Sequence, residues 1–161
     1  VSEGIEITEG EYTSWEYRAI IRTAGRRRIS MYGGFTVSEF WNGDRQQFGG
    51  RITFRPNPGI SIATNIQHNQ VTLPQFSADL YEIEGQWNPT PWVGATTQLQ
   101  YDDVTDVAGL FARLRWIMKP GNDLYLVYTH NWRNLETDLL DRHFQTLSRG
   151  GSVKVNYTYR L

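Results

Sequence analysis

The sequence predicts an all-β protein, either an antiparallel up-and-down transmembrane β-barrel or the C-terminal part of a larger one. The first observation is strict alternation over residues 151–161, which puts Val153, Val155 and Tyr157 on one face and polar side chains on the other. This period of two is typical of a strand, because successive side chains point to opposite sides of the pleat. The second observation is that similar segments recur about every 15 to 18 residues, wider than the spacing of a soluble sandwich.

Nine segments carry the alternation, and each has about ten residues or more, which suits a tilted strand that crosses a bilayer. A short tenth strand is possible at residues 5–8. We therefore treat residues 1–161 as a single barrel domain, or a C-terminal barrel segment, of about nine to ten strands. The predicted strands are residues 12–23, 28–39, 46–55, 60–72, 77–87, 92–101, 108–119, 124–132 and the terminal strand after residue 143.

The connections between these segments alternate in type. Tight Pro- or Gly-containing turns occur at residues 24–25, 56–59, 88–91 and 120–122. Longer or more acidic loops lie near Asn42, Pro74, Asp103 and Asp138. Short turns at one end and longer loops at the other are the layout of a transmembrane barrel meander.

Composition excludes several other classes. No run of about 18 apolar residues exists, so membrane-spanning helices are not expected. A formal net charge of -1 gives no strong attraction to nucleic acid. The chain has no cysteine, which excludes disulfides and thiolate metal sites. The mean hydropathy of -0.52 is compatible with a barrel, because half of each barrel strand faces a polar interior.

One face of the predicted strands is apolar and rich in aromatic side chains, several of them near strand ends. An aromatic girdle at the bilayer interface has this distribution, so outer-membrane lipid is the expected partner of this face. A soluble barrel or sandwich could instead turn the same face toward a core. The predicted lipid-facing or girdle residues are Trp15, Tyr17, Trp87, Tyr101, Leu114, Trp116, Tyr157 and Tyr159.

The opposite face carries charged residues of both signs. Two glutamates lie two strands away from arginines on either side, so opposite charges would meet in a narrow lumen. Such a set is either a structural plug of paired charges or a charged constriction that selects solutes. The predicted lumen-lining charge set is Arg18, Arg22, Arg51, Arg55, Glu82, Glu84, Arg113 and Arg115.

Several stretches resemble a known family. They are E-G-I-E-I-T-E-G-E-Y-T-S-W-E-Y-R at residues 3–18, W-N-G-D-R-Q at 41–46, F-R-P-N-P at 54–58, V-T-L-P at 71–74 and the long segment 100–128. Together they resemble the C-terminal barrel region of bacterial DUF5916-type proteins, which carry a carbohydrate-binding family 9-like domain ahead of a predicted outer-membrane barrel. The block R-L-R-W-x-x-x-P-G-x-D-L-Y-L-V-Y is its most specific part. The resemblance implies the outer membrane of a Gram-negative bacterium and further barrel strands, from the same precursor or another chain.

The expected function is a non-catalytic, porin-like role in transport or docking of a solute at the outer membrane. By the resemblance, that solute could be saccharide-related. No cofactor or metal is expected, because the acidic residues Asp102, Asp103 and Asp106 lack the glycine and terminal glutamate of a calcium loop. Two alternatives stay open: an outer-membrane hydrolase or acyltransferase with a rim site near His130, also drawing on the loop aspartates and His143, and a soluble barrel that binds a ligand inside.

Overall fold

The computed structural model describes residues 14–40, 43–72, 75–136 and 142–158. These residues form one sheet of nine antiparallel strands, each hydrogen-bonded to its neighbours in sequence. The predicted all-β, up-and-down meander is therefore confirmed. The possible strand at residues 5–8 lies outside the described residues. The strands are β1 Glu16–Arg22, β2 Ile29–Phe40, β3 Gly43–Phe54, β4 Ile60–Val71, β5 Phe76–Thr90, β6 Val93–Asp102, β7 Val107–Lys119, β8 Asn122–Glu136 and β9 Arg142–Asn156.

Some strands extend beyond their predicted ends. β5 continues through Pro89 to Thr90, where a turn was predicted at residues 88–91, and the ladder shifts register between Trp87 and Thr90. Proline is tolerated there because a bulge removes the need for its ladder donor. The prediction of a turn beginning at residue 88 was wrong for that reason.

The long loop predicted at residues 134–143 is also shorter than expected. β8 runs to Glu136 and β9 begins at Arg142. A register shift lies opposite Asn131 and Trp132, which pair with Ser148 and Thr146 respectively. The extra residue of a bulge moves the following side chains to the other face, so the period of two is interrupted before residue 151. The sequence alternation could not show a strand across that break.

The register aligns the alternating segments so that one face of the sheet is mainly apolar and the other mainly polar, with exceptions such as His130 and Arg149 on the apolar face and Phe111 on the polar face. On the apolar face, neighbouring strands place side by side Trp87, Ala95, Leu114, Leu126 and Val153. On the polar face, they place side by side Arg51, Asn65, Glu82 and Gln100. Register and pattern agree, as they must where one face differs strongly from the other.

The described sheet is a single layer. Ala63 is its only buried hydrophobic residue, and no large side chain in the described ranges is fully buried. Apolar side chains in the middle of the sheet, such as Ile52 at 50% and Ile83 at 51% exposure, have no covering layer among the described residues. The apolar face must therefore be covered by something outside these residues if the sheet is to be stable.

Both edges of the sheet are open in the described residues. β1 pairs only with β2, and β9 pairs only with β8. All seven side chains of β1 are exposed, and so is every side chain of β9 from Phe144 to Val155. The sheet is not closed into a barrel by these residues.

Candidate functional site on the polar face

An ion-pair network at the centre of the polar face is its most constrained polar feature. Arg51 of β3 reaches across β4 to β5, where its Nη2 lies 2.7 Å from Oε2 of Glu84 and its Nη1 lies 3.9 Å from Oε1 of Glu82. The intervening residue beside Glu84 is Ala63, which is 4% exposed. Because Ala63 has only a methyl group, the guanidinium can pass over β4.

The second oxygen of Glu84 is also engaged. Gln86 Nε2 donates to Glu84 Oε1 at 2.5 Å. The site therefore holds two carboxylates against one guanidinium and retains one negative charge. Side-chain exposures of 37% for Arg51 and 20% for Glu84 leave water access, so the pair contributes on the order of 1 kcal/mol, nearer to a surface pair than to a buried one.

The remaining members of the predicted charge set also lie on the polar face, but they do not join this network. Arg115 pairs with Asp123 at 3.4 Å, and Arg18 pairs with Glu16 at 2.8 Å. Arg113 has no ion pair among the described residues, because the register places it beside Thr96, one row away from Glu84. Thus Arg51 alone of the predicted arginines contacts the two glutamates.

The last two arginines of the set have local partners. Arg22 lies over the ring of Tyr32, with its Cζ 5.3 Å from the centroid. Arg55 Nη1 donates to Ser30 Oγ at 2.9 Å.

Two depressions flank the network on the polar face, and each has three or four amide side chains among its lining residues. One, of about 340 Å³, is lined by residues that include Arg18, Gln47, Asn65, Gln67 and Asn69. The other, of about 300 Å³, is lined by residues that include Gln98, Gln100, Asp102, Thr129 and Asn131. Amide groups both donate and accept hydrogen bonds, so this face offers a hydrated path to a polar solute.

The apolar face carries aromatic side chains at two levels. Tyr81 and Tyr101 are cross-strand partners at one level, and Trp132 lies in the same row two strands further on. The second level is at the short-turn end of the sheet, where Trp87 lies near the C-terminal end of β5 and Trp116 lies near the C-terminal end of β7. On β5 the two levels are six residues apart, about 20 Å at roughly 3.3 Å per residue.

The predicted lipid-facing residues lie on this face or continue its alternation. Tyr17 and Tyr157 are both 72% exposed, on the edge strand β1 and just after the edge strand β9 respectively. Trp15 stacks at a tilt on Tyr17 with a centroid distance of 5.1 Å. Tyr159 lies outside the described residues.

A histidine–aspartate pair lies beyond the aromatic row toward the longer loops. His68 Nδ1 lies 2.5 Å from Asp79 Oδ1, and the backbone N–H of Asp79 donates to Asp103 Oδ1 at 2.6 Å. Sequence reasoning missed this pair. It could have been predicted only from the β4–β5 register, which places His68 directly opposite Asp79. The carboxylate orients the imidazole and leaves Nε2 for a proton or a partner.

His130, the residue named for an enzyme site at the rim, lies in the interior of β8 on the apolar face. Its Nδ1 is 3.0 Å from Tyr128 Oη, its Nε2 is 3.1 Å from Thr146 Oγ1, and its ring stacks on Trp132 at 4.1 Å. Both ring nitrogens are thus engaged.

The structure does not bring His130 together with the acidic loop. Asp102 accepts a hydrogen bond from the backbone of Val104 within its own loop, and Asp106 accepts one from Tyr101. The side chain of His143 is not among those described. In the described ranges no group of three or more His, Asp or Glu side chains is arranged to hold a metal ion.

No family model matches the chain, and none of the curated proteins matches it. None of the described residues belongs to a helix long and apolar enough to span a membrane.

Proposed function

We propose that the chain forms part of the wall of a non-catalytic outer-membrane β-barrel that serves passage or docking of a polar solute. The observation that carries this proposal is the division of a single-layer sheet into an uncovered apolar face with two aromatic levels and a charged, amide-rich opposite face. Lipid on one side and water on the other would satisfy both faces.

The uncovered apolar face argues against a soluble domain. Soluble monomers rarely expose contiguous apolar patches larger than a few hundred Å², whereas here the apolar rows run across the whole sheet. A sandwich would need a second layer, and the described residues form one sheet only. Bilayer hydrocarbon is the simplest cover for a face of this extent and character.

The open edges support the presence of further strands in the wall. An unpaired backbone N–H or C=O group in hydrocarbon costs several kcal/mol, so β1 and β9 cannot both end in lipid. Bacterial single-chain barrels normally have an even number of strands, and the described residues supply nine. We infer that the further strands come from the N-terminal segment at residues 5–8, from the same precursor, as the family resemblance implies, or from another chain.

The Arg51–Glu82–Glu84 network would lie in the lumen of this barrel. One unneutralised carboxylate at a constriction disfavours anions there, and the amide-lined depressions favour uncharged hydroxylated solutes. A saccharide is the solute that the resemblance suggests.

Spin labels test which face of the sheet contacts lipid. Because the sequence has no native cysteine, a single introduced cysteine carries the label at a defined site. Leu114→Cys and Arg115→Cys place labels one residue apart on opposite faces of β7. In lipid vesicles, the label at residue 114 should respond to oxygen and the label at residue 115 to a water-soluble nickel chelate. Equal response of both labels to the nickel chelate would refute the membrane assignment.

The solute path is tested separately by liposome swelling with neutral sugars of increasing size. Swelling that depends on sugar size supports passage. Sugar binding without swelling supports docking. Neither swelling nor sugar binding in correctly inserted protein would refute the transport role.

A further inference from the structure

Two short turns at the same end of the sheet enclose a cleft that no part of the proposed wall function explains. One turn joins β1 to β2 and the other joins β3 to β4. The cleft has a volume of about 500 Å³. Its lining residues include four arginines, which we call the arginine cleft: Arg26, Arg27, Arg28 and Arg55.

Among the described residues, no carboxylate neutralises the charge of the arginine cleft. None of its four arginines forms an ion pair among the described residues, whereas Arg18, Arg51 and Arg115 elsewhere in the sheet each pair with a carboxylate. Arg26, Arg27 and Arg28 are exposed and Arg55 is half-buried, so four positive charges are gathered at one place where water only partly screens their mutual repulsion. The cleft therefore favours a counter-ion with more than one negative charge.

The side of the cleft formed by the β3–β4 turn is rigid. Gly59 has a φ of 82°, and a Cβ at this position would lie 2.3 Å from the carbonyl oxygen of Asn88. The Asn88 N–H donates to the Gly59 carbonyl at 2.6 Å, and the Ile60 N–H donates to the Asn57 carbonyl at 3.1 Å. Only glycine fits this left-handed, closely approached position without strain.

The opposite side is tied to this turn through Arg55. The backbone N–H of Arg55 donates to the Arg28 carbonyl at 2.7 Å, and its Nη1 lies 2.9 Å from Ser30 Oγ and 3.5 Å from the Arg27 carbonyl. Arg26, Arg27 and Arg28 therefore lie on a turn whose C-terminal end is held in place by Arg55. Preorganisation of this kind lowers the ordering cost of binding.

We propose that the arginine cleft binds an oxyanion of the phosphate class that carries two or more negative charges. Planar guanidinium groups form bidentate hydrogen bonds with phosphate oxygens, and Asn57, Ser61 and Asn88 in the lining add neutral polar groups. The lack of aromatic lining residues fits an anion better than stacked nucleic-acid bases.

The anion can come from a soluble phosphate ester or from a lipid headgroup. The apolar face begins directly beside the cleft, where Ile29 is 57% and Phe54 is 43% exposed. An amphiphile could therefore place its phosphate in the cleft and its chains on this face. The cleft itself depends on two turns and not on barrel closure, so its binding can succeed or fail independently of the proposed function.

The test is calorimetric titration of the folded full chain with inorganic diphosphate. Arg27→Gln combined with Arg28→Gln should weaken binding by about tenfold or more. The matched control, Arg133→Gln combined with Arg149→Gln on β8 and β9, removes the same charge away from the cleft and should leave binding nearly unchanged. Replacing Arg27 and Arg28 by Lys keeps the charge but loses the bidentate geometry, so it should give an intermediate loss.

A second arm identifies the source of the anion. Wild-type protein is mixed with vesicles of phosphatidylcholine, with or without phosphatidic acid, whose phosphomonoester can carry two negative charges, in the presence and absence of diphosphate. Diphosphate binding that phosphatidic acid vesicles do not displace supports a soluble ligand, and displacement by phosphatidic acid vesicles but not by phosphatidylcholine vesicles supports a lipid headgroup. The proposal is overturned if wild type binds neither probe, or if the control pair weakens binding as much as the cleft pair does.

Discussion

The two faces of the sheet differ in how their side chains are satisfied. On the polar face, Arg51 crosses a whole strand to meet Glu84, and Gln86 completes the carboxylate. On the apolar face, side chains such as Ile52 and Ile83 are about half exposed and meet no covering layer in the described ranges. Several polar side chains thus find partners within the chain, whereas the apolar side chains have no covering layer among the described residues. A globular domain would bury such apolar side chains in its core, whereas the wall of a membrane barrel turns them outward.

The largest expected effect comes from placing a charge on the apolar face. Ile83→Arg should lower the free energy of unfolding in lipid by about 2 to 4 kcal/mol, because Ile83 lies on β5 between the aromatic levels of Tyr81 and Trp87, where a guanidinium must be dehydrated. Arg115→Gln, on the polar face of β7, is the control. It loses only the 3.4 Å pair with Asp123 and should cost less than about 1 kcal/mol.

Urea titration of vesicle-inserted protein measures both changes. Equal losses of unfolding free energy in the two variants would mean that the two faces lie in the same environment. That result would contradict the assignment of one face to lipid and the other to water.

Alternation made most of the fold predictable from sequence. β7 was predicted at residues 108–119 and is observed as Val107–Lys119, because leucine, tryptophan and arginine alternate there as far as Ile117, where the pairing with β8 shifts register. The register of adjacent hairpins follows from short turns, so the facing of Leu114 and Arg115 also follows. The bulges in β5 and β9 were not predictable, since an extra residue disturbs the period without a distinctive residue type.

The candidate sites were less predictable than the fold. The Arg51–Glu84 contact depends on a small residue in the intervening strand, which is a property of three strands together. The His68–Asp79 pair depends on one exact register. The arginine cleft joins turns from two separate hairpins, and only their positions in the sheet show that they face each other.

The second prediction concerns Ala63, on which the polar network depends. Ala63→Phe puts an aromatic ring in the path of the Arg51 side chain, and overpacking at this 4% exposed position should cost about 1 to 3 kcal/mol. Thr64→Phe on the other face, where Thr64 is exposed, should cost much less or stabilise the protein in lipid.

Thermal unfolding of the two variants in detergent measures the difference. A larger drop in melting temperature for Thr64→Phe than for Ala63→Phe would show that an aromatic ring fits on the polar face at residue 63 but not on the apolar face at residue 64.

The third prediction concerns selectivity. Glu84→Gln removes the closest charge partner of Arg51, which leaves one guanidinium opposite Glu82 and brings the local charge to zero. Stability should fall by about 1 kcal/mol, and any preference for cations in planar-bilayer conductance should weaken. Glu16→Gln, which breaks the exposed Arg18 pair on the edge strand, should change neither quantity measurably. An unchanged ion preference in Glu84→Gln would place the constriction elsewhere.

The smallest expected effect concerns His130, a polar exception on the apolar face. His130→Ala removes its contacts with Tyr128 Oη and Thr146 Oγ1 and its stacking on Trp132. Because these partners are partly exposed and can rehydrate or reorient, the loss should be about 1 kcal/mol or less. Hydrolysis of p-nitrophenyl esters by inserted protein should be at background in wild type and unchanged in the variant. A rate above background that disappears in His130→Ala, with folding intact, would instead support the enzyme alternative, because the two engaged ring nitrogens would then belong to a catalytic site rather than to a packed polar cluster.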